Sequence, residues 1–376
     1  MSSSSPFGAA TYAVLGGPGH ADAWPADDIA LTALEERIAA LEGGTGAVAT
    51  ASGLAALHLA IVTLLSPGAE ILAAEDLPDA TRVLLGDLLP RQGITTRFVS
   101  SPAPADWASA LSPAVRLILA PTLGTVERRP LDIPGLGAWA HGCSLPLLVD
   151  GSETGPGMQR PLDLGADLLV LDAGPHLGGC GGMLVDGGRF DWLAGRGYPT
   201  LTSPSPTTGR IPALDEPLTA FLTLARQGLV GYGTRMSALE ARRLLDTLPA
   251  LSLVATARAA RAGQVAAALA AHPAVTTVHY PGLAADGDPA DRLLPGSAGA
   301  VIAFSLAGDG RLDEVFVTSL RLISRDSTPP RTGFLPASPR WPGIWRLAVG
   351  LEDAADLVDD LARALNRVAK ALEARP

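Results

Sequence analysis

The chain has 376 residues, of which 47% are hydrophobic and 18% are charged. This length favours two domains, and the composition is typical of a compact globular protein rather than of a disordered one. The formal net charge of −10 argues against a surface for nucleic acid or anionic membrane, because both require an excess of Lys and Arg. The sequence has no apolar run of membrane-spanning length and no N-terminal signal pattern, so it predicts a cytoplasmic protein.

Primary amines are scarce in this chain. Among its 28 basic residues the only lysine is Lys370, and all the others are arginines. Lys370 lies in the last amphipathic segment, where a solvent-exposed helix face is expected. The two cysteines, Cys143 and Cys180, cannot build a disulfide framework, so we expect reduced thiols.

The first part of the chain predicts an arm followed by alternating strands and helices. Residues 1–30 show no sustained periodicity and predict the arm. Residues 32–44 predict a helix, with Thr32 as its N-cap and Glu35 at the capping-box position. From residue 46 onwards, apolar stretches alternate with helical ones, which predicts a parallel sheet with helices on its faces. The predicted strands of this sheet include residues 70–75, 95–100, 115–121, 145–151 and 166–173.

The second part of the chain has a different pattern. Residues 196–212 form a loop rich in Pro, Ser, Thr and Gly, and a loop this long in a compact domain is usually functional. Helical patterns fill residues 214–271, after which strand patterns and a final amphipathic helix at 353–373 predict a smaller α+β domain. The predicted limits are 1–45 for the arm and first helix, 46–255 for the large domain and 256–376 for the small domain.

Six stretches of the chain match motifs of one family in the same order and at the same spacing. They are ALEERIAALEGGTGAVATASGLAALHLAI (33–61), PGAEILAAEDL (67–77), MQRPLDLGADLLV (158–170), GGMLVDGGRFDW (181–192), AAHPAVTTVHYPGL (270–283) and WRLAVGLEDAADLVDDLARAL (345–365). With them the chain resembles the Cys/Met-metabolism pyridoxal phosphate enzymes, most closely the O-acetylhomoserine sulfhydrylases. Cystathionine γ-synthases and lyases are close relatives of that group.

The resemblance implies an architecture and an assembly. It implies the α/β fold of aspartate aminotransferase, which is fold type I of the pyridoxal phosphate enzymes. Its large domain has a mostly parallel seven-stranded sheet, and its C-terminal domain is a smaller α+β unit. The resemblance also implies a dimer of dimers in which each active site is shared between two subunits. It leaves open whether this chain forms a homo-oligomer or a hetero-oligomer.

Several positions match the cofactor contacts of the family. Ser52, Gly53 and Leu54 match its phosphate-binding turn at the N-terminus of a helix, and Asp150 matches the aspartate that pairs with the pyridine nitrogen. From the residues alone, Ser52 is equally well explained as a helix cap, and Asp150, at a strand end, is also explained as a turn or cap residue. Both interpretations therefore stay open at this point.

One further position matches the family's contact with its substrate. Arg346 matches the arginine that binds the substrate carboxylate, and guanidinium groups bind carboxylates with two parallel hydrogen bonds. The alternative is a stabilising ion pair of Arg346 with Glu352 or Asp353.

Other positions depart from the family. Its pattern S-A-T-K-(Y/W)-(I/L)-G-G-H aligns with residues 172–180, which places Pro175 where the lysine forms a Schiff base with the cofactor. The tyrosine that stacks on the cofactor ring aligns with Pro78, and the asparagine that touches the cofactor aligns with Thr125. No other alignment places a lysine there, because the only lysine is Lys370.

Two segments with further family contacts are also altered. The arm motif Y-x-R-x-x-N-P-T, which reaches the phosphate of a neighbouring subunit, aligns with Ala23, Pro25 and residues 28–30. The region of further substrate contacts after residue 320 is shortened to RLISRDSTPPRTG. These losses at one site predict that this chain's own Schiff-base chemistry is no longer maintained.

The sequence therefore predicts a degenerate family member that cannot form the internal aldimine. We expect a non-catalytic or accessory subunit that pairs with a lysine-bearing homologue in sulfur amino-acid or specialised metabolism. No covalently bound cofactor is expected, and for pyridoxal phosphate only noncovalent binding is possible. A third hypothesis is a γ-replacement or elimination transferase with such a noncovalent cofactor.

The alternative from another functional class is a repurposed enzyme or binder of an amino-acid-like metabolite in the former cofactor cavity. Ser52, Asp150 and Arg346 would line this cavity together with His176 and Cys180. The spacing of His176 and Cys180 suggests a new nucleophile or ligand pair, but two ligands on a glycine-rich turn do not make a zinc site. No metal site is therefore predicted.

Overall fold

The structure is a computed structural model that describes residues 28–100, 103–283, 293–294, 298–308, 310–326 and 331–373. The arm positions Ala23 and Pro25 lie outside these residues, as does part of the segment that follows residue 320.

A seven-stranded sheet forms the centre of the large domain. Its strands are β1 (Gly46–Thr50), β2 (Glu70–Ala74), β3 (Thr95–Val99), β4 (Val115–Pro121), β5 (Leu147–Asp150), β6 (Leu168–Asp172) and β7 (Gly182–Asp186). They lie in the order β1-β7-β6-β5-β4-β2-β3, and β7 runs antiparallel to the other six strands. The prediction of a mostly parallel seven-stranded sheet is confirmed.

Helices cover both faces of this sheet. They include α1 (Asp28–Glu42), α2 (Gly53–Leu64), α3 (Asp79–Val83), α4 (Pro104–Ser109), α5 (Ile133–Gly142), α6 (Gly174–Leu177), α7 (Pro199–Thr202), α8 (Pro212–Asp215), α9 (Ala220–Gly231) and α10 (Ala238–Thr247). Helix α3 continues as one π turn and one 3-10 turn to Gln92. Apolar side chains of the strands alternate between two cores, one that includes α1 and α5 and another that includes α2 and α9. This burial on both faces explains why the strands are apolar throughout.

The capping box predicted for the first helix is wrong. Helix α1 begins at Asp28, so Thr32 lies inside it and Glu35 is two turns from its start. The Glu35 side chain is buried, accepts a hydrogen bond of 2.8 Å from the Ala49 N–H, and forms an ion pair of 2.7 Å with Arg226. Glu35 thus ties α1 to strand β1 and helix α9, a role that local spacing does not reveal.

The C-terminal part is a second, smaller unit with its own core, as predicted. Its helices are α11 (Leu251–Ala270), α12 (Gly310–Ser319) and α13 (Ala354–Glu373), and its strands are β8 (Val275–His279), β9 (Val301–Leu306), β10 (Gly333–Phe334) and β11 (Ile344–Ala348). The four strands form an antiparallel sheet in the order β10-β11-β9-β8. The predicted limit between residues 255 and 256 falls inside α11, and the exact domain limits stay a prediction.

The structure also bears on membrane association. In the described ranges, no helix combines the length and the apolar character needed to cross a bilayer.

Asp360 holds the turn that follows α12. Its buried carboxylate accepts hydrogen bonds of 2.9 to 3.1 Å from the backbone N–H groups of Arg321, Leu322 and Ile323, and it pairs with Arg363 at 2.8 Å. Burial by itself raises the pKa of this carboxyl, but the three backbone donors outweigh it and bring the pKa below its ordinary value. The ionised carboxylate therefore stabilises the fold.

We expect Asp360→Asn to lower the free energy of unfolding at pH 7 by about 2 kcal/mol, because hydrogen bonds to an ion are stronger than those to an amide. The carboxylate's contribution is complete above its unfolded-state pKa of about 3.9 and is lost as the pH falls through the lower folded-state pKa. Urea denaturation should therefore show the difference shrinking below pH ~4. Asp359→Asn, at the exposed neighbour, is the control, and equal effects of both substitutions would contradict the assignment.

Candidate functional site

The candidate site lies at the carboxyl ends of the parallel strands of the large sheet. Strand β5 ends at Asp150, strand β6 ends at Asp172, and β1 leads through Ser52 into helix α2. Open α/β sheets bind their ligands outside the carboxyl ends of the strands, so these residues lie where a ligand is expected. We call this region the strand-end site.

Ser52 and Gly53 form the start of α2, and both already have partners. Ser52 is the N-cap residue, and its hydroxyl accepts a hydrogen bond of 3.1 Å from the Ala55 N–H. The Gly53 N–H donates to the Asp172 carboxylate over 3.1 Å. Leu54 is partly exposed, at 36%. The helix-cap interpretation of Ser52 thus describes its observed contact, and its role in phosphate binding stays a prediction.

Asp172 is a site residue that the sequence interpretation missed. It aligns with the serine of the family's S-A-T-K pattern. Its carboxylate also accepts a hydrogen bond of 2.8 Å from the Gly174 N–H, and its own N–H donates to the Ser152 hydroxyl over 3.0 Å. Asp172 therefore joins the end of β6 to the start of α2. The available signal was an acidic residue at the end of an apolar strand, next to a glycine.

Asp150 is a buried carboxyl, with 7% of its surface exposed. It accepts a hydrogen bond of 3.0 Å from the Ser152 N–H, and in the described part of the chain it takes part in no ion pair. Burial raises its pKa to about 6, and the charges of Glu153 and Asp172 contribute in the same direction. The contact with Ser152 is that of a turn residue, and a contact with a pyridine nitrogen stays a prediction.

Pro175 occupies the position aligned with the family's lysine. It lies in the first turn of α6, where a missing N–H breaks no helical hydrogen bond, and it is exposed. Its carbonyl accepts a hydrogen bond of 2.8 Å from the buried guanidinium of Arg258, which also donates to the Val349 carbonyl over 2.8 Å. Arg258 is therefore a second site residue that the sequence interpretation missed.

The only lysine, Lys370, is exposed in the last turn of α13.

His176 and Cys180 have separate surroundings. The His176 Nε2 atom lies 3.0 Å from the Ser152 carbonyl, which only accepts hydrogen bonds, so Nε2 carries the proton. Burial and the nearby Arg258 charge lower the pKa of His176 to about 4, so its ring is neutral at pH 7. Cys180 is exposed, and its N–H donates to Glu240 over 2.6 Å. Within the described ranges no cluster of metal-binding side chains is present, and the functional roles considered for these two residues stay untested.

Thr125 and Arg128, three residues apart in one loop, are both buried. The guanidinium of Arg128 is fully buried and pairs with Glu153 through Nη1, which also lies 3.4 Å from the Gly124 carbonyl. Its Nε and Nη2 atoms have no hydrogen-bond partner within the described residues, and neither does the buried hydroxyl of Thr125. Buried donors of this kind favour contact with a small polar molecule.

Pro78 lies immediately before α3 and is half-buried. Its neighbour Asp76 accepts hydrogen bonds from the N–H groups of Val126 and Glu127, which ties the end of β2 to the loop that contains Thr125. The position aligned with the stacking tyrosine thus carries no aromatic ring.

Arg346 lies on β11 and is half-buried. It donates a hydrogen bond of 2.9 Å to the Pro336 carbonyl, whereas Glu352 accepts hydrogen bonds from the N–H and the hydroxyl of Thr332. The alternative ion pair of Arg346 with Glu352 or Asp353 is therefore wrong, since neither acid contacts it. Its proposed contact with a substrate carboxylate stays a prediction.

Comparison with known proteins shows the family of this chain. Residues 27–328 match the model of the Cys/Met metabolism PLP-dependent enzymes, PLP being pyridoxal 5′-phosphate. The chain is 32% identical over 369 residues to O-acetyl-L-homoserine sulfhydrylase of Leptospira meyeri, a match that covers 89% of this chain and 83% of the relative. It is 31% identical over 366 residues to homocysteine synthase of Schizosaccharomyces pombe, covering 88% and 83%. The chain therefore belongs to the Cys/Met metabolism PLP-dependent enzyme family.

Solved structures agree on the fold. A structure described as an O-acetylhomoserine (thiol)-lyase of Campylobacter jejuni matches with a TM-score of 0.83 at 21% identity, over 89% of this chain and 85% of that one. The O-acetylhomoserine sulfhydrylase of Wolinella succinogenes matches with a TM-score of 0.76 at 26% identity, over 89% and 96%. The predicted fold type I architecture and the resemblance to trans-sulfuration enzymes are thus confirmed.

We expect Asp150→Asn to stabilise the protein at pH 7 by about 3 kcal/mol, because the folded state disfavours the ionised carboxyl. For an acid whose folded-state pKa is raised from about 3.9 to about 6, stability falls as the pH rises through this window. The gain should therefore vanish near pH 4, as measured by urea denaturation. The control is Asp215→Asn at an exposed site, and a gain that does not depend on pH would contradict the prediction.

Proposed function

We propose that this chain keeps the trans-sulfuration fold but forms no covalent link to pyridoxal phosphate. In this proposal it acts as a non-catalytic or accessory subunit beside a lysine-bearing homologue. The observation that carries the proposal is Pro175 at the turn after β6, together with Lys370 as the only lysine of the chain.

The chemistry of the cofactor supports this proposal. Pyridoxal phosphate reacts through an imine that its aldehyde forms with a primary amine of the enzyme. Pro175 offers no amine. Lys370 lies in the last turn of α13, which is not one of the elements that form the strand-end site. The Gly53 N–H, which matches the phosphate-binding turn, is engaged by Asp172. The residues of the site therefore do not fit a covalently held cofactor.

Contacts within the chain hold the turn at the aligned lysine position in place. Asp172 and Arg258 bind the turn that contains Pro175 to α2, α11 and the segment after β11. In the family, as the resemblance implies, two subunits share each active site. This chain would then supply its half of the interface to a partner that carries the lysine. An oligomer of this kind and a cytoplasmic location belong to the proposal.

A second candidate function is the binding of an amino-acid-like metabolite. It is favoured by the buried donors of Arg128 and Thr125, which have no partner within the described residues. A carboxylate fits such donors, because guanidinium and hydroxyl groups both donate hydrogen bonds to it. This candidate needs no amine and is compatible with Pro175.

The first test is treatment of the purified protein with pyridoxal phosphate and borohydride, followed by mass spectrometry of the intact protein and its peptides. We expect no adduct on the turn around Pro175, and only nonspecific labelling of Lys370 and the N-terminus. Lys370→Arg is the matched control and should lose the labelling of the side chain. With O-acetylhomoserine and sulfide, neither protein should form homocysteine. Turnover by the chain alone would contradict the proposal.

The accessory role has its own measurement. Co-expression with a lysine-bearing homologue from the same cell should yield a mixed complex by native mass spectrometry. A stable homo-oligomer that does not associate with the homologue would contradict the pairing.

The second candidate is tested by thermal shift with amino acids and acyl-homoserines. We expect a ligand of this class to raise the melting temperature of the wild type, and to do so less in Thr125→Val, which removes one unpartnered hydroxyl without changing the volume. Arg129→Met, at the exposed neighbour of Arg128, should behave like the wild type. If no compound shifts the melting temperature, this candidate is wrong.

A further inference from the structure

We infer that Asp172 is a built-in anion that fills the phosphate-binding end of the strand-end site and excludes phosphate groups from it. The inference rests on the proposed function for the identity of this site, but it concerns a different end of the cofactor. The proposed function depends on the missing amine at residue 175, whereas this inference depends on the carboxylate at residue 172.

The N-terminus of α2 is an anion-binding position that the chain itself occupies. The first N–H groups of a helix have no partner within the helix, and they carry a partial positive charge. Here the Gly53 N–H donates to the Asp172 carboxylate over 3.1 Å, and the Ala55 N–H donates to the Ser52 hydroxyl over 3.1 Å. Two of these donors are therefore used by side chains of the protein.

The Asp172 side chain also takes the space in front of Gly53. A Cβ atom placed on Gly53 would lie 2.8 Å from both the Cβ and the Oδ2 atoms of Asp172. The absence of a side chain at residue 53 thus lets the carboxylate approach the backbone. A phosphate group that used the same N–H would have to displace this carboxylate.

Neighbouring groups hold Asp172 in this position. The Gly174 N–H donates to its Oδ1 atom over 2.8 Å, and its own N–H donates to the Ser152 hydroxyl over 3.0 Å. Asp172 is thus anchored through both its carboxylate and its backbone. These hydrogen bonds fix the carboxylate in front of the Gly53 N–H. A phosphate that displaces it must break them, and this cost lowers the affinity for phosphate.

Repulsion between like charges also disfavours phosphate binding at this position. Two negative charges a few ångströms apart repel strongly in a partly buried site, and a phosphate monoester carries up to two of them. Asp150 is a second acid nearby, since the charge of Asp172 contributes to the raised pKa of its carboxyl. We therefore expect Asp172 to weaken phosphate binding by a factor of at least about 100.

The test compares Asp172→Ser with Asp172→Asn. The serine removes both the charge and the bulk, whereas the asparagine removes only the charge and is the variant better suited to preserving the fold. Asp191→Ser, at an exposed acid, controls for the change in net charge. Circular dichroism and the melting temperature establish that each protein is folded.

The probes are inorganic phosphate and pyridoxal 5′-phosphate, titrated by calorimetry and thermal shift. We expect the wild type and Asp191→Ser to bind both probes equally weakly, so that their dissociation constants are the reference for the variants. Asp172→Ser should bind pyridoxal phosphate at least about 100-fold more tightly than the wild type, with Asp172→Asn in between because its amide still fills the space. Wild-type binding as tight as that of a folded Asp172→Ser would overturn the inference, and so would the absence of any gain in both variants.

A second comparison separates the two ends of the site. Pro175→Lys supplies an amine whose condensation with the cofactor aldehyde forms an imine and releases water. The double variant Pro175→Lys, Asp172→Ser should reach half-maximal borohydride-trapped adduct at a concentration at least about tenfold lower than Pro175→Lys alone. Equal concentrations would overturn the role of Asp172.

The two proposals fail in different ways. Wild-type protein that binds pyridoxal phosphate tightly without an adduct contradicts the inference about Asp172 and leaves the proposed function intact. Wild-type protein that forms homocysteine on its own contradicts the proposed function. An adduct in Pro175→Lys that does not respond to residue 172 contradicts only the inference.

Discussion

The hydrogen bond from the Gly53 N–H to the Asp172 carboxylate is the contact on which the candidate site depends. It satisfies a donor at the N-terminus of α2 and joins that helix to the end of β6. The same carboxylate accepts the Gly174 N–H, which sets the turn that leads into Pro175 and α6. A side chain of the protein thus occupies the position that we propose to be the phosphate-binding end of the site.

Arg258 completes this arrangement from the C-terminal unit. Its buried guanidinium donates to the carbonyls of Pro175 and Val349, so helix α11 is bound both to the turn after β6 and to the chain after β11. Burial lowers the pKa of Arg258, yet the group remains charged at any physiological pH. Asp172 and Arg258 together stabilise the strand-end site with groups that are all part of this chain.

We propose that this protein keeps the fold of its family but has lost side chains on which the family's cofactor chemistry depends. The fold type I architecture is retained over nearly the whole chain, because its sheet and helices depend on apolar packing that the sequence preserves. Cofactor chemistry depends instead on a few side chains at the strand ends, and a fold can be kept while such a site changes. Pro175, Pro78 and Thr125 are the positions at which we propose that this change has occurred.

Local periodicity and composition were enough to predict the alternation of strands and helices, the mostly parallel sheet and the scarcity of amines. The cap at Ser52 was also visible locally, since it joins residues three apart. Only the tertiary structure revealed Asp172 on Gly53, 119 residues apart, Arg258 on Pro175, 83 residues apart, and Glu35 between Ala49 and Arg226. These polar contacts join distant segments, and no local pattern specifies which buried acid or guanidinium meets which backbone group once the sheet has assembled.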